Sequence, residues 1–86
     1  MKFPSKAERS YYDKLCLLKA SGEVLFFLRQ VPFHLPGDNT YRADFMVFYS
    51  DGTAKVIDVK GVETEVFKVK KRLLEETYPF KLEIVK

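Results

Sequence analysis

Residues 41–60 read YRADFMVFYSDGTAKVIDVK, two runs rich in aromatic and β-branched residues around Ser50-Asp51-Gly52. That is the composition of a β-hairpin. Its register decides where two strand carboxylates fall. A two-residue Asp51-Gly52 turn pairs Ser50 with Thr53 and sets Asp44 opposite Val59. A three-residue loop with glycine third pairs Tyr49 with Thr53 and sets Asp44 opposite Asp58. Glycine is preferred at that third, left-handed position, so the three-residue loop is expected, with Asp44 and Asp58 converging. Strand side chains alternate, so Asp58 and Lys60 share a face with Ala54 and Val56, while Ile57 and Val59 take the other. Apolar groups on both faces mark residues 54–60 as a central strand.

Upstream, Ser5 followed by Glu8 reads as a capping box that opens a helix, with Ala7, Tyr11, Tyr12, Leu15 and Leu18 toward a core and Gly22 as its C′ residue. Residues 27–35 carry Val31, Phe33 and Leu35 on one parity, a first strand in which Pro32 marks an edge or a strand end. Residues 36–39 are a loop and residues 41–49 the second strand. Downstream, Thr64 caps a second helix to about Tyr78, with Val66, Phe67, Val69, Leu73, Leu74 and Tyr78 as its buried stripe before Pro79 stops it. Residues 82–85 form a last strand, parallel to the third because a helix crosses between them. The order α-β-β-β-α-β predicts a single small α/β domain over residues 1–86, with a mixed four-stranded sheet flanked by helices.

The charges carry the functional signal. A lone buried carboxylate costs several kcal/mol or neutralises, so strand-centre acids at Asp44 and Asp58 require a cationic or metal partner. Opposed carboxylates beside Lys60 leave one net negative charge, a setting suited to a hard divalent cation with oxygen ligands. Asp44 could instead pair with Arg42, and Glu8 is open to two roles, the capping partner of Ser5 or a site carboxylate, serving one at a time.

The set Ala43-Asp44, then Asp58-Val59-Lys60, with Ser5-Lys6-Ala7-Glu8 in the first helix, resembles the PD-(D/E)xK nuclease superfamily. With Gly61, Thr64, Phe67 and Lys70, nearly the whole chain resembles a small phage-encoded, Holliday-junction-resolvase-like endonuclease family of the restriction-endonuclease-like fold. Alanine at position 43 departs from the usual proline. The resemblance implies Mg²⁺ or Mn²⁺ bound by Asp44, Asp58 and the Val59 carbonyl, with Glu8 completing the site directly or through water. Lys60 would orient the nucleophile or stabilise charge on the phosphorane, and hydrolysis would leave a 5′-phosphate.

The remaining residues bound this reading. With 86 residues, there is room for one domain, and one this small buries only roughly 60% of its unfolded surface, so a homodimer is expected. Fifteen basic residues against 12 acidic give +3, which suits an anionic partner without dictating one, and the resemblance implies branched DNA. Lys70 and Lys6 are expected phosphate contacts. Gln30, beside the site, either touches substrate or lies on a solvent face. Lys71 with Glu75 and Arg72 with Glu76 read as i,i+4 surface pairs. Cys16, the lone cysteine, is expected in the core, and His34, which lacks a ligand cluster, is expected to be structural or at the surface. The longest apolar run, residues 24–28, is too short to span a bilayer, so the chain is expected to be cytoplasmic, with no membrane partner. A module that keeps this fold without the chemistry is the competing expectation.

Overall fold

The computed structural model describes residues 3–86. The elements are α1 (Lys6–Ala20), β1 (Val24–Leu35), β2 (Asn39–Tyr49), β3 (Ala54–Val59), α2 (Glu65–Thr77) and β4 (Leu82–Val85). The four strands form one sheet in the order β1-β2-β3-β4, antiparallel except for the parallel β3–β4 pair. This is the α/β architecture expected, with β1 on an edge as Pro32 requires.

Both helix starts are set by hydroxyl caps: Ser5 Oγ accepts from Glu8 N–H and Thr64 Oγ1 from Phe67 N–H, each at 3.1 Å. α1 ends in a Schellman motif, in which Gly22 N–H donates to Lys19 and Glu23 N–H to Leu18, with Gly22 at φ +86°.

The β2–β3 loop has three residues. Tyr49 N–H donates to the Thr53 carbonyl at 2.8 Å, Gly52 holds φ +90°, and Phe45 pairs with Ile57. Adjacent residues of β3 then point to opposite cores. Ile57 joins Leu15, Val24, Phe45 and Val47 beneath α1. Val56 joins Phe33, Tyr41, Ala43, Phe67, Leu74 and Leu82 beneath α2. The helices therefore cover opposite faces of the sheet.

The β1–β2 hairpin changes core part-way along. Phe27, Phe45 and Val47 pack on the α1 side, whereas Val31, Phe33, Tyr41 and Ala43, on the same parity, pack on the α2 side. The switch falls at Gln30 and Asp44, where ladder pairing skips one position and resumes in register. Gln30 sits there at φ +53°.

Several expectations change. β1 starts at Val24 rather than Phe27, because Leu25 is an extra residue that breaks the register between Val24 and Phe26 and lets β1 begin earlier. In α1, Glu8 is buried and Ala7 exposed, since Glu8 has partners on β1 and an alanine contributes little apolar area. Cys16 is exposed, because Leu15 beside it takes the core position and successive helix residues diverge by about 100°. Val66 and Val69 are exposed, with α2 buried only along Phe67 and Leu74. No i,i+4 pair forms at Lys71 or Arg72 among the described residues; Glu75 instead accepts the Leu82 N–H at 2.9 Å and anchors β4.

Candidate active site

The site lies where β2–β3 pairing ends. Beyond Phe45–Ile57, the last ladder pair, each strand is held by the other's carboxylate. Val59 N–H donates to Asp44 Oδ2 at 2.8 Å, and Asp44 N–H donates to Asp58 Oδ1 at 3.3 Å. The two acids thus cap backbone donors that the ladder has ceased to use, which explains why the sheet retains carboxylates at its centre. The other oxygen of each takes no part in the backbone caps: Asp44 Oδ1 faces Gln30, and Asp58 Oδ2 is buried without a hydrogen bond and faces Lys60.

Lys60 Nζ lies 3.3 Å from Asp58 Oδ2 and 4.7 Å from the Phe67 ring centroid. Asp58 is buried, while the Lys60 side chain is 34% exposed, so the ammonium can reach a ligand from outside. Phe67 on α2 holds the lysine stem over the site by a cation–π contact. Arg42 makes no ion pair with Asp44 among the described residues and is exposed. The salt-bridge alternative for Asp44 is therefore not adopted.

Glu8 completes the group. Its N–H is capped by Ser5, but its carboxylate does not turn back to the cap. Glu8 Oε2 lies 3.6 Å from Arg29 Nη2 and accepts from Gln30 Nε2 at 3.3 Å. Gln30 Nε2 also lies 3.5 Å from Asp44 Oδ1. Half a capping box and a site carboxylate thus coexist in one residue, because the backbone serves the cap and the side chain serves the site. Gln30 is half-buried and faces these acids rather than solvent. Arg29 was not expected from sequence; its guanidinium stacks 4.2 Å from the Phe3 ring centroid and carries a positive charge against Glu8. The signal was there in an Arg-Gln pair interrupting an apolar strand.

Electrostatics follow from burial. Desolvation raises the Asp44 carboxyl above the ordinary carboxylate range, Glu8 adds to the rise, and the Val59 N–H opposes it. Burial likewise raises Asp58, with Asp44 adding and the Tyr41 hydroxyl and Lys60 opposing. The Tyr41 hydroxyl beside it is buried without a well-formed hydrogen bond, and burial first, then Asp58, pushes its pKa up.

Glu8, Asp44, Asp58 and the end of β3 at Val59 are thus brought together. Lys6 and Lys70 are not part of that contact network. Lys6 lines a hollow of about 610 Å³ with Phe3, Ser5 and Arg9 at the start of α1. Lys70 lines one of about 270 Å³ with Val66 and Leu73 of α2 and Asn39 at the start of β2. Among the described residues, no three His, Cys, Asp or Glu side chains are grouped so that they could hold a metal ion as they stand. The oxygens of Glu8, Asp44 and Asp58 are hard donors in the chemical sense, and Asp58 Oδ2 is a buried acceptor that faces the Lys60 ammonium.

A family of proteins of unknown function, DUF1064, matches this sequence over residues 1–86. The chain belongs to the DUF1064 family. No curated protein matches it. The match spans Glu8, Asp44, Asp58 and Lys60, so the DUF1064 region contains the whole carboxylate–lysine group. No helix of this DUF1064 protein is long and apolar enough to cross a membrane.

Proposed function

We propose that this protein is a metal-dependent, structure-selective DNA endonuclease of the PD-(D/E)xK type. It resolves Holliday junctions as a homodimer and leaves 5′-phosphates. The resemblance to a phage-encoded group suits action in a host cytoplasm. The observation that carries the reading is the meeting of Asp44 and Asp58 across the end of the β2–β3 ladder, with Lys60 on Asp58 and Glu8 joined to Asp44 through Gln30.

Asp44 Oδ1, Asp58 Oδ2, the Val59 carbonyl and Glu8 would hold Mg²⁺ or Mn²⁺. When bound, the cation supplies Lewis-acid polarisation of the scissile phosphate and acidifies the attacking water. The protein supplies the rest. The backbone N–H groups of Asp44 and Val59 fix both carboxylates, so the oxygens that do not cap the backbone are oriented before substrate arrives. Lys60, steadied by Asp58 and Phe67 but partly exposed, orients the nucleophile or offsets negative charge as the phosphorus becomes five-coordinate. Lys70 and Lys6 contact neighbouring phosphates, which positions the duplex without reading its sequence.

The test is incubation with a labelled four-way junction and matching linear duplex in Mg²⁺, Mn²⁺ or EDTA, beside Asp58→Ala and Lys60→Ala. The expected result is symmetric, metal-dependent incision of the junction that both substitutions abolish. Equal nicking of both substrates would remove the junction preference and leave a nicking nuclease.

One observation favours a second reading, a nucleic-acid-binding or assembly module without catalysis. Among the described residues the acids are bridged by an amide rather than gathered in a metal cage. That reading predicts tight junction binding with no cut and full binding by Asp44→Ala.

A further inference from the structure

Asp44 has one oxygen to give. Its Oδ2 is committed to the Val59 N–H, and Oδ1 faces the Gln30 carboxamide. The same Nε2 donates to Glu8 Oε2 at 3.3 Å, so one amide nitrogen sits between the two acids. An amide NH₂ carries two protons and presents no lone pair suited to a hard cation. The backbone is held in place to put it there: Gln30 adopts φ +53°, a left-handed conformation costly for a residue other than glycine. It does so at the position where β1 and β2 exchange cores.

We propose that Gln30 is a gate on the cation site. Its Nε2 fills the place between Glu8 and Asp44 that a divalent cation needs, and binding of the cation displaces it. The inference rests on the metal-dependent reading above. Without cation, the amide gives each carboxylate a hydrogen-bond donor, holding together two groups that would otherwise repel. With cation, those two hydrogen bonds are lost, so the affinity for metal is set lower than the oxygen ligands alone would give. Gln30 is here a positioning residue, acting through the carboxylates.

The test is calorimetric titration of Mn²⁺ into wild type, Gln30→Met and Asp58→Ala. Methionine keeps the length and the backbone demand while deleting both donors. The gate predicts that the Mn²⁺ dissociation constant of Gln30→Met falls about threefold to tenfold, the scale of one weak charge-assisted hydrogen bond. Asp58→Ala is expected to bind no Mn²⁺. Equal or weaker binding by folded Gln30→Met overturns the gate while the metal site stands, and it would be the result if the amide turned to offer Oε1 as a ligand. Absence of Mn²⁺ binding in both wild type and Gln30→Met overturns the metal-dependent reading and the gate with it. If Gln30→Met does not fold, Gln30→Glu replaces it, with tighter Mn²⁺ binding expected and equal or weaker binding overturning the gate.

Discussion

Asp44 shows how one residue carries two duties that pull in opposite directions. Its carboxylate ends the β2–β3 ladder by accepting the Val59 N–H, yet burial and the Glu8 charge raise its pKa. A carboxyl raised above its unfolded value stabilises the fold when protonated, and that stability is lost as pH rises through the folded value. Asp58 shifts in the same direction, so the pair titrates together. In EDTA, the melting temperature of wild type should therefore fall relative to Asp44→Asn as pH rises from about 4 to about 7. A difference that is flat or opposite in sign would mean the carboxylates are not strained by burial. At neutral pH, Asp44→Asn should also melt higher without metal, by about 4–8 °C for roughly 1 kcal/mol. The Asn carbonyl can keep the Val59 N–H, and Gln30 can keep its donation to Glu8. On the metal-dependent reading, Mg²⁺ should raise the melting temperature of wild type and leave that of the same variant unchanged, because ligand binding to the native state is what raises it. Differential scanning fluorimetry with and without Mg²⁺ measures both effects.

Among the elements, the β2–β3 loop sets the site, because a register shifted by one residue would put Asp44 opposite Val59. Gly52 holds φ +90° and a Cβ there meets nothing within 4 Å, so replacement acts on the backbone alone. Gly52→Ala should destabilise the protein by about 1–2 kcal/mol, read as a lower midpoint in urea with an unchanged slope. An unchanged midpoint would show that the loop tolerates another turn type. This loop was legible before any coordinates, since turn chemistry is local: Ser-Asp-Gly at known spacing fixes which residues face each other. Both hydroxyl caps were legible for the same reason, and the parallel β4 because a helix must cross between it and β3. Glu8 was half legible, because Ser5 announces the cap, while the Arg29 and Gln30 partners that bury its side chain lie on another element. Apolar periodicity ranks Ala7 above Glu8 and cannot see that. Nor did sequence mark the bend at Gln30, because no glycine flags the left-handed residue. The burial of Cys16, Val66 and Val69 was misread because a helix shows its apolar positions but not how far round the sheet covers them.

As a whole molecule, the protein measures 40 × 29 × 20 Å, with a radius of gyration of 13.2 Å. A compact chain of this length would have about 12 Å, and the difference reflects the elongated shape of a thin domain with a long β1–β2 hairpin. Its longest dimension spans about one turn of duplex, roughly 34–36 Å. On the proposed junction reading, one copy can therefore follow a single arm, and it brings one carboxylate–lysine site. Symmetric incision of two strands requires a second site related by a two-fold axis. The charge of +3 points the same way, since so small an excess gives one protomer little non-specific grip on phosphate. Junction binding should accordingly saturate at two protomers per four-way junction, and raising salt should weaken it less steeply than for a strongly basic protein. Sedimentation velocity on labelled junctions, with the catalytically disabled Lys60→Ala variant in Mg²⁺, counts the protomers directly. A one-to-one complex that still supports paired incisions in wild type would remove the dimer, because one site would then have to visit both strands in turn. A two-to-one complex whose incisions occur within one binding event would establish that the second site comes from the second copy.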